Sequence, residues 1–195
     1  DRCPMQISFT PEFAERLRPQ VGTQSGKAHN PHGGGNTYEL ERVLDEDMLL
    51  TSVGWANSYY QQFEPGAMYT DEWGVGWLVQ EYDTKFGKGI YTEIVRHPLA
   101  EDEAIESYLA PDPTREELYR EPEWAIREFK DEYWMVGATV TTIFETAWAL
   151  RGLEPLLIDM MVNPELADRI LDIPYNYHLT AARRLVEMGV DMIWT

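Results

Sequence analysis

The run Tyr69-Thr70-Asp71-Glu72-Trp73-Gly74-Val75-Gly76-Trp77 gathers the groups best suited to chemistry in this chain. Asp71 is the leading candidate for a catalytic or ligand-holding acid. A carboxylate at a strand end, flanked by Trp73 and two glycines, can accept hydrogen bonds from a ligand in a partly dry pocket. The alternative is that Asp71 caps the turn that follows it, a common use of Asp. Glu72 is expected to point the other way, because successive strand side chains face opposite sides. Trp73, Trp77, Tyr69 and Tyr91 offer walls for a flat apolar pocket, although aromatics at such spacings more often fill a core or an interface.

A second group lies further along. Gly137, Ala138 and Thr139 read as a strand-to-helix turn, where small residues let a ligand reach backbone N–H groups at a helix start. Close packing of strand on helix is the competing explanation. Gly137 and Thr139 are taken as substrate-binding candidates, with Trp73. Glu145, on the first turn of the next helix, could project toward the same site, while an ordinary solvated glutamate is the commoner outcome. His29 and His32 have His-x-x-His spacing in a glycine-rich loop. Metal ligation needs three or four converging donors and no third is in view, so no metal site is expected within this chain. His97, before Pro98, reads as a loop residue. Cys3 is the only cysteine, which fits a reducing cytoplasm. No Walker-type loop, dinucleotide fingerprint or Gly-x-Ser-x-Gly elbow is present.

The elements that must position these groups follow from caps and periodicity. Thr10-Pro11-Glu12 supplies an N-cap hydroxyl, a first-turn proline and an acid near the positive helix end, so a helix starts there. Residues 39–44 read as a short helix and 48–53 as a strand. Residues 67–77 read as a strand with a turn, and 89–95 as another strand. A short helix is expected over 101–108, then a helical stretch over 114–130 interrupted at Pro122. Residues 133–140 form a buried strand. A helix over 141–151 is closed by Gly152, followed by an apolar helix over 154–161. Asn163-Pro164-Glu165 starts a helix that runs to Leu171. A separate helix covers 175–188, with Leu179, Ala182, Leu185 and Val186 on its apolar face. Residues 190–195 close the chain as a buried strand. Apolar strands joined through amphipathic helices imply parallel pairing with right-handed crossovers.

The chain has 195 residues, enough for one domain with a sizeable core. With 34 acidic and 16 basic residues it carries a formal charge of -18. A field of that sign repels phosphate backbones and anionic membranes, so nucleic-acid and membrane-surface binding are not expected. No apolar run approaches the length of a membrane span.

Four segments carry a resemblance: Asp1-Arg2-Cys3-Pro4-Met5; Tyr69-Thr70-Asp71; Gly137-Ala138-Thr139-Val140-Thr141; and the stretch from Met161-Val162-Asn163-Pro164-Glu165 through Gly189-Val190-Asp191. In this order and spacing they resemble the uroporphyrinogen decarboxylase superfamily across almost the whole chain. The resemblance implies an α/β fold, the N-terminal part of a (β/α)8 TIM-type barrel. An N-terminal extension would cover about 1–65 and barrel strands and helices about 66–195. Such a barrel takes about 250 residues, so the chain is expected to be truncated after about three barrel strands.

One branch of that superfamily decarboxylates uroporphyrinogen, and its aspartate, matched here by Asp71, holds the pyrrole N–H groups. The other branch moves methyl groups between corrinoid proteins and thiols or other acceptors, using zinc. The arginine-rich segment of true decarboxylases, suited to pairing many carboxylates, corresponds here to residues 5–13, which contain no arginine. The family tyrosine after the glycine turn is replaced by Phe144-Glu145. The favoured function is therefore corrinoid-dependent methyl transfer. Zinc is expected on ligands beyond Thr195, and the corrinoid on a partner protein. The expected partners are that protein or a small-molecule methyl donor or acceptor; a homodimer is compatible. Uroporphyrinogen decarboxylation is the alternative, and a non-catalytic partner-binding subunit the second.

Overall fold

The computed structural model describes residues 2–23, 37–53, 58, 61–85, 87–139 and 142–195. His29, His32 and the loop glycines 33–35 lie outside the described residues, as do Val140 and Thr141. The chain divides into two compact units. The first comprises Asp1–Asn57, Arg115–Val140 and Ala181–Thr195; the second comprises Ser58–Thr114 and Thr141–Thr180.

The first unit is built on a parallel sheet. Strands β1 (Met48–Ser52), β5 (Trp134–Ala138) and β6 (Met192–Trp194) run in the order β1-β5-β6. Leu50 pairs with Val136, and Val136 with Met192. All but the first residue of β1 and of β5 are buried, the pattern of parallel strands covered on both faces. Helix α1 (Pro11–Val21) starts where its cap predicts. The Phe13 N–H donates to Thr10 Oγ1 at 3.4 Å, and Gly22 ends the helix at φ 79°, a left-handed conformation that glycine adopts without strain. Helix α2 (Glu39–Val43) follows. Helix α4 (Arg120–Phe129) extends directly from a 3-10 turn at Glu116–Tyr119. Pro122 does not interrupt it. The proline sits in the first turn, where the N–H it lacks would have no acceptor within the helix. Tyr38, Leu49, Ala125 and Met135 form one apolar cluster, and Val53, Tyr119, Ala181 and Leu185 another. Asp191 ties the two strand starts together, accepting from the Met135 N–H at 2.9 Å and from Lys130 Nζ at 2.7 Å.

The second unit holds an antiparallel sheet ordered β2-β3-β4, with β2 Met68–Thr70, β3 Gly76–Thr84 and β4 Gly87–Arg96. The sequence pattern locates β2, the turn and β4, but not the nine-residue β3 that pairs along β4. Near the end of this ribbon the Tyr82 ring lies against Gly89, where a Cβ would come within 2.5 Å of the ring. Helices α3 (Asp102–Ser107), α5 (Ile143–Arg151) and α6 (Leu153–Val162) complete the unit with α7 (Pro164–Met188) as far as Thr180. Buried Arg151 fastens α5 to the segment after β4. It donates to the Leu99 and Ala100 carbonyls at 3.0 and 3.1 Å, and pairs with Asp102 at 2.6 Å and Asp159 at 2.8 Å. His97 Nδ1 lies 2.7 Å from the Ala149 carbonyl, so that nitrogen carries the proton and donates.

Helix α7 departs from expectation twice. It runs unbroken through Pro174, where the sequence suggests two helices. Its buried residues Ala167, Ile170, Pro174, Tyr177, Ala181 and Leu185 recur every three or four positions on both sides of the proline, so packing outweighs the lost backbone bond. That stripe also differs from the expected face. Leu185 is shared, but Val186 is exposed and His178 is buried.

The fold is thus mixed α/β with two open three-stranded sheets. β1 precedes residue 66, where the barrel strands were expected to begin, yet belongs to the parallel sheet. β2, β3 and β4 lie past that point and pair antiparallel. Among the described residues no helix is long and apolar enough to cross a membrane.

Candidate functional site

Asp71 follows directly after β2 and is buried. Its carboxylate is aimed into its own turn. Oδ1 accepts the backbone N–H groups of Trp73 at 2.9 Å and Val75 at 3.0 Å, and Oδ2 accepts the Trp77 indole N–H at 2.9 Å. The Ser58 side chain adds a fourth hydrogen bond. The turn is closed by main-chain bonds from Asp71 N to Val75 O and from Gly74 N to Asp71 O, with Gly74 at φ 79°. This is the turn-capping geometry. Four donors match the roughly four lone-pair positions of a carboxylate. Burial raises the Asp71 pKa above the usual carboxylate range, opposed by the hydrogen bonds from Trp77, Ser58, Val75 and Trp73.

Trp73 hangs from the same turn and is 1% exposed. Its ring lies 4.7 Å from that of Tyr177 and stacks on His178 at 5.9 Å, both on α7. Tyr108 donates its hydroxyl to the Trp73 carbonyl at 2.8 Å. Burial and the nearby Asp71 and Glu72 charges raise the Tyr108 pKa, so its phenol stays a donor. Glu72 is exposed, and the Tyr177 hydroxyl donates to it at 3.4 Å. His178 is 4% exposed; its Nε2 lies 3.4 Å from Thr146 Oγ1, and its Nδ1 has no partner among the described residues. Burial lowers its pKa to about 4, leaving a neutral imidazole at physiological pH. The second unit thus joins an acid-capped turn to a sheet of aromatic rings and one desolvated imidazole. Such a group can exchange a hydrogen bond with a ligand but holds no charge.

The other candidates are placed differently. Trp77 is buried in the core and stacks at 6.1 Å on the half-buried Tyr69. Tyr91 is exposed and packs beside Tyr82. Glu145 is exposed on the first turn of α5. Gly137 and Thr139 belong to the first unit. Gly137 and Ala138 are strand residues of β5, not turn residues. A Cβ at Gly137 would meet Ile193 at 3.0 Å and Leu185 at 3.1 Å, so close packing of strand on helix accounts for the glycine. The Thr139 N–H donates to the Trp194 carbonyl at 2.8 Å and extends the ladder; its buried Oγ1 has no partner among the described residues. Among the candidates of the second unit, Asp71 and Trp73 are joined by the hydrogen bond within their turn.

Tyr177, His178, Tyr108 and Thr146 are the partners that the sequence reading did not reach. The three-and-four spacing of the buried stripe through Tyr177 was the available signal for the first two. Among the described residues no group of three His, Cys, Asp or Glu side chains could hold a metal ion. No protein-family model matches the chain, and no curated protein sequence does.

Proposed function

We propose that the chain forms the N-terminal part of a barrel enzyme of the uroporphyrinogen decarboxylase superfamily that transfers methyl groups between a corrinoid protein and an acceptor. Four segments in the family's order support this, as does a parallel sheet in which a helix precedes each added strand, α4 before β5 and α7 before β6. The observation that carries the choice of branch is the commitment of Asp71. Its oxygens already accept from Trp73, Val75, Trp77 and Ser58, which leaves little capacity to gather the pyrrole N–H groups of a porphyrinogen. The arginine-free segment 5–13 and the charge of -18 point the same way for a polycarboxylate substrate.

In this reading Asp71 is a positioning residue. It rigidifies the Trp73 turn, and the rings of Trp73, Tyr177 and His178 keep water from the wall they form. A bound zinc would supply an activated thiolate for methyl transfer. The described residues offer no ligand set that fits it, and no step is assigned to them through the metal.

The test uses the full-length protein with methylcobalamin and a thiol, following the loss of the cobalt–carbon absorbance, beside a parallel incubation with uroporphyrinogen. Thiol-dependent demethylation without porphyrinogen turnover is expected. Decarboxylation would establish the other branch, and inactivity in both assays would favour a non-catalytic subunit.

A further inference from the structure

Within the first unit, α4 and the last turns of α7 flank a groove of about 480 Å³. Pockets for small molecules commonly measure about 300–1,000 Å³. It is lined by Tyr119, Ile126 and Met188 and by the charged Glu116, Glu123, Arg127 and Arg184. Tyr119 is buried beneath Arg184, so the half-buried Ile126 and Met188 supply the open apolar surface. Arg184 is held in place: its guanidinium lies 3.9 Å over the Tyr119 ring and pairs with Glu116.

The other two charges are differently placed. Glu123 and Arg127 are four residues apart on α4, an order and spacing that ordinarily form a direct ion pair. They form none here. Arg127 turns its Nε to Glu128 at 3.1 Å, and its terminal amino groups make no hydrogen bond among the described residues. Glu123 makes no ion pair or hydrogen bond among them either. The Glu123 and Arg127 side chains therefore leave the helix from Cβ atoms about 5–6 Å apart, on the groove that Ile126 and Met188 also line.

We propose that this groove binds a small α-amino acid with an apolar side chain. The ligand carboxylate would take the terminal N–H groups of Arg127, a planar donor suited to it. The ammonium would lie on Glu123 and the side chain on Ile126 and Met188. A zwitterion answers both charges without adding a net charge to a chain at -18. This site is independent of the methyl-transfer reading.

Calorimetric titration of the full-length protein tests it, with L-phenylalanine as the probe beside phenethylamine and 3-phenylpropionate. Each analogue keeps the apolar body and loses one charge. L-phenylalanine is expected to bind with a dissociation constant below about 1 mM, and each analogue at least about tenfold more weakly. Arg127→Met and Glu123→Gln should each weaken L-phenylalanine binding by about tenfold or more, with an unchanged melting temperature, because both side chains are on the surface. Absence of binding by L-phenylalanine, L-leucine and L-methionine at about 10 mM would overturn the proposal. So would equal binding by either analogue, or wild-type affinity in both variants.

Discussion

Asp71 in the second unit and Glu46 in the first are both buried carboxylates, and they are housed differently. Asp71 has four donors from its own turn and from Ser58. Glu46 accepts one backbone N–H, from Ile7 at 3.2 Å, and its Oε1 has no partner among the described residues. Burial raises the Glu46 pKa to about 7, eased by the Ile7 hydrogen bond and reinforced by the charge of buried Glu41. The Asp71 pKa is also raised, but there four hydrogen bonds oppose the burial. Depth alone does not decide what a buried acid does. The supply of donors decides whether it serves as a structural anion or carries a proton near neutrality.

The largest way to sharpen that contrast is to remove the Asp71 side chain. Asp71→Ala leaves the N–H groups of Trp73 and Val75 and the Trp77 indole without their acceptor, and should destabilise the second unit by about 3 kcal/mol. Denaturant titration followed by tryptophan fluorescence reads this directly; a loss under about 1 kcal/mol would break the account of the turn.

Next in size is the pH response of His178. Its folded pKa lies near 4, below the ordinary 6.5. The unfolded chain therefore binds the proton more readily, and stability is lost as pH falls from about 6.5 toward 4. The loss should be on the order of 3 kcal/mol. In His178→Phe, which keeps a ring against Trp73, the part of the pH slope due to this residue should vanish.

Glu46 should respond with the opposite sign. A folded pKa raised from 4.5 to about 7 means that its contribution is full below pH 4.5 and is lost as pH rises through 7. Glu46→Gln should therefore stabilise the protein by about 1 kcal/mol at pH 8 and leave it nearly unchanged at pH 5. Melting curves at the two pH values separate this from a uniform packing effect.

The sequence was most legible where local chemistry decides structure. Thr10-Pro11-Glu12 announced α1 and Gly152 the end of α5, because caps and glycine conformations act within a few residues. Asp71 and Trp73 were recognisable as a pair because they share one turn. It was least legible where tertiary packing overrides a local rule. Pro174 signals a helix break, but the buried residues on either side carry α7 through it. Glu46 sits within Asp45-Glu46-Asp47, which looks like a solvated acidic run until Ile7 and Glu41 are brought beside it. His178 is a polar residue beside an apolar stripe, and the Trp73 ring stacked on it comes from distant sequence. Gly137 illustrates a third case. Its small size was readable, but the Leu185 and Ile193 side chains that require it come from distant sequence.

The central claim is that Asp71 serves its turn and not the reacting groups. The most direct measurement is the methyl-transfer rate of full-length Asp71→Asn, normalised to folded protein, taken with its melting temperature. Asparagine keeps an acceptor for the Trp73 and Val75 N–H groups but loses the one offered to Trp77. The account predicts a lowered melting temperature and a rate within about threefold of wild type. An unchanged melting temperature with a rate reduced by about 100-fold or more would contradict it and make Asp71 a catalytic acid.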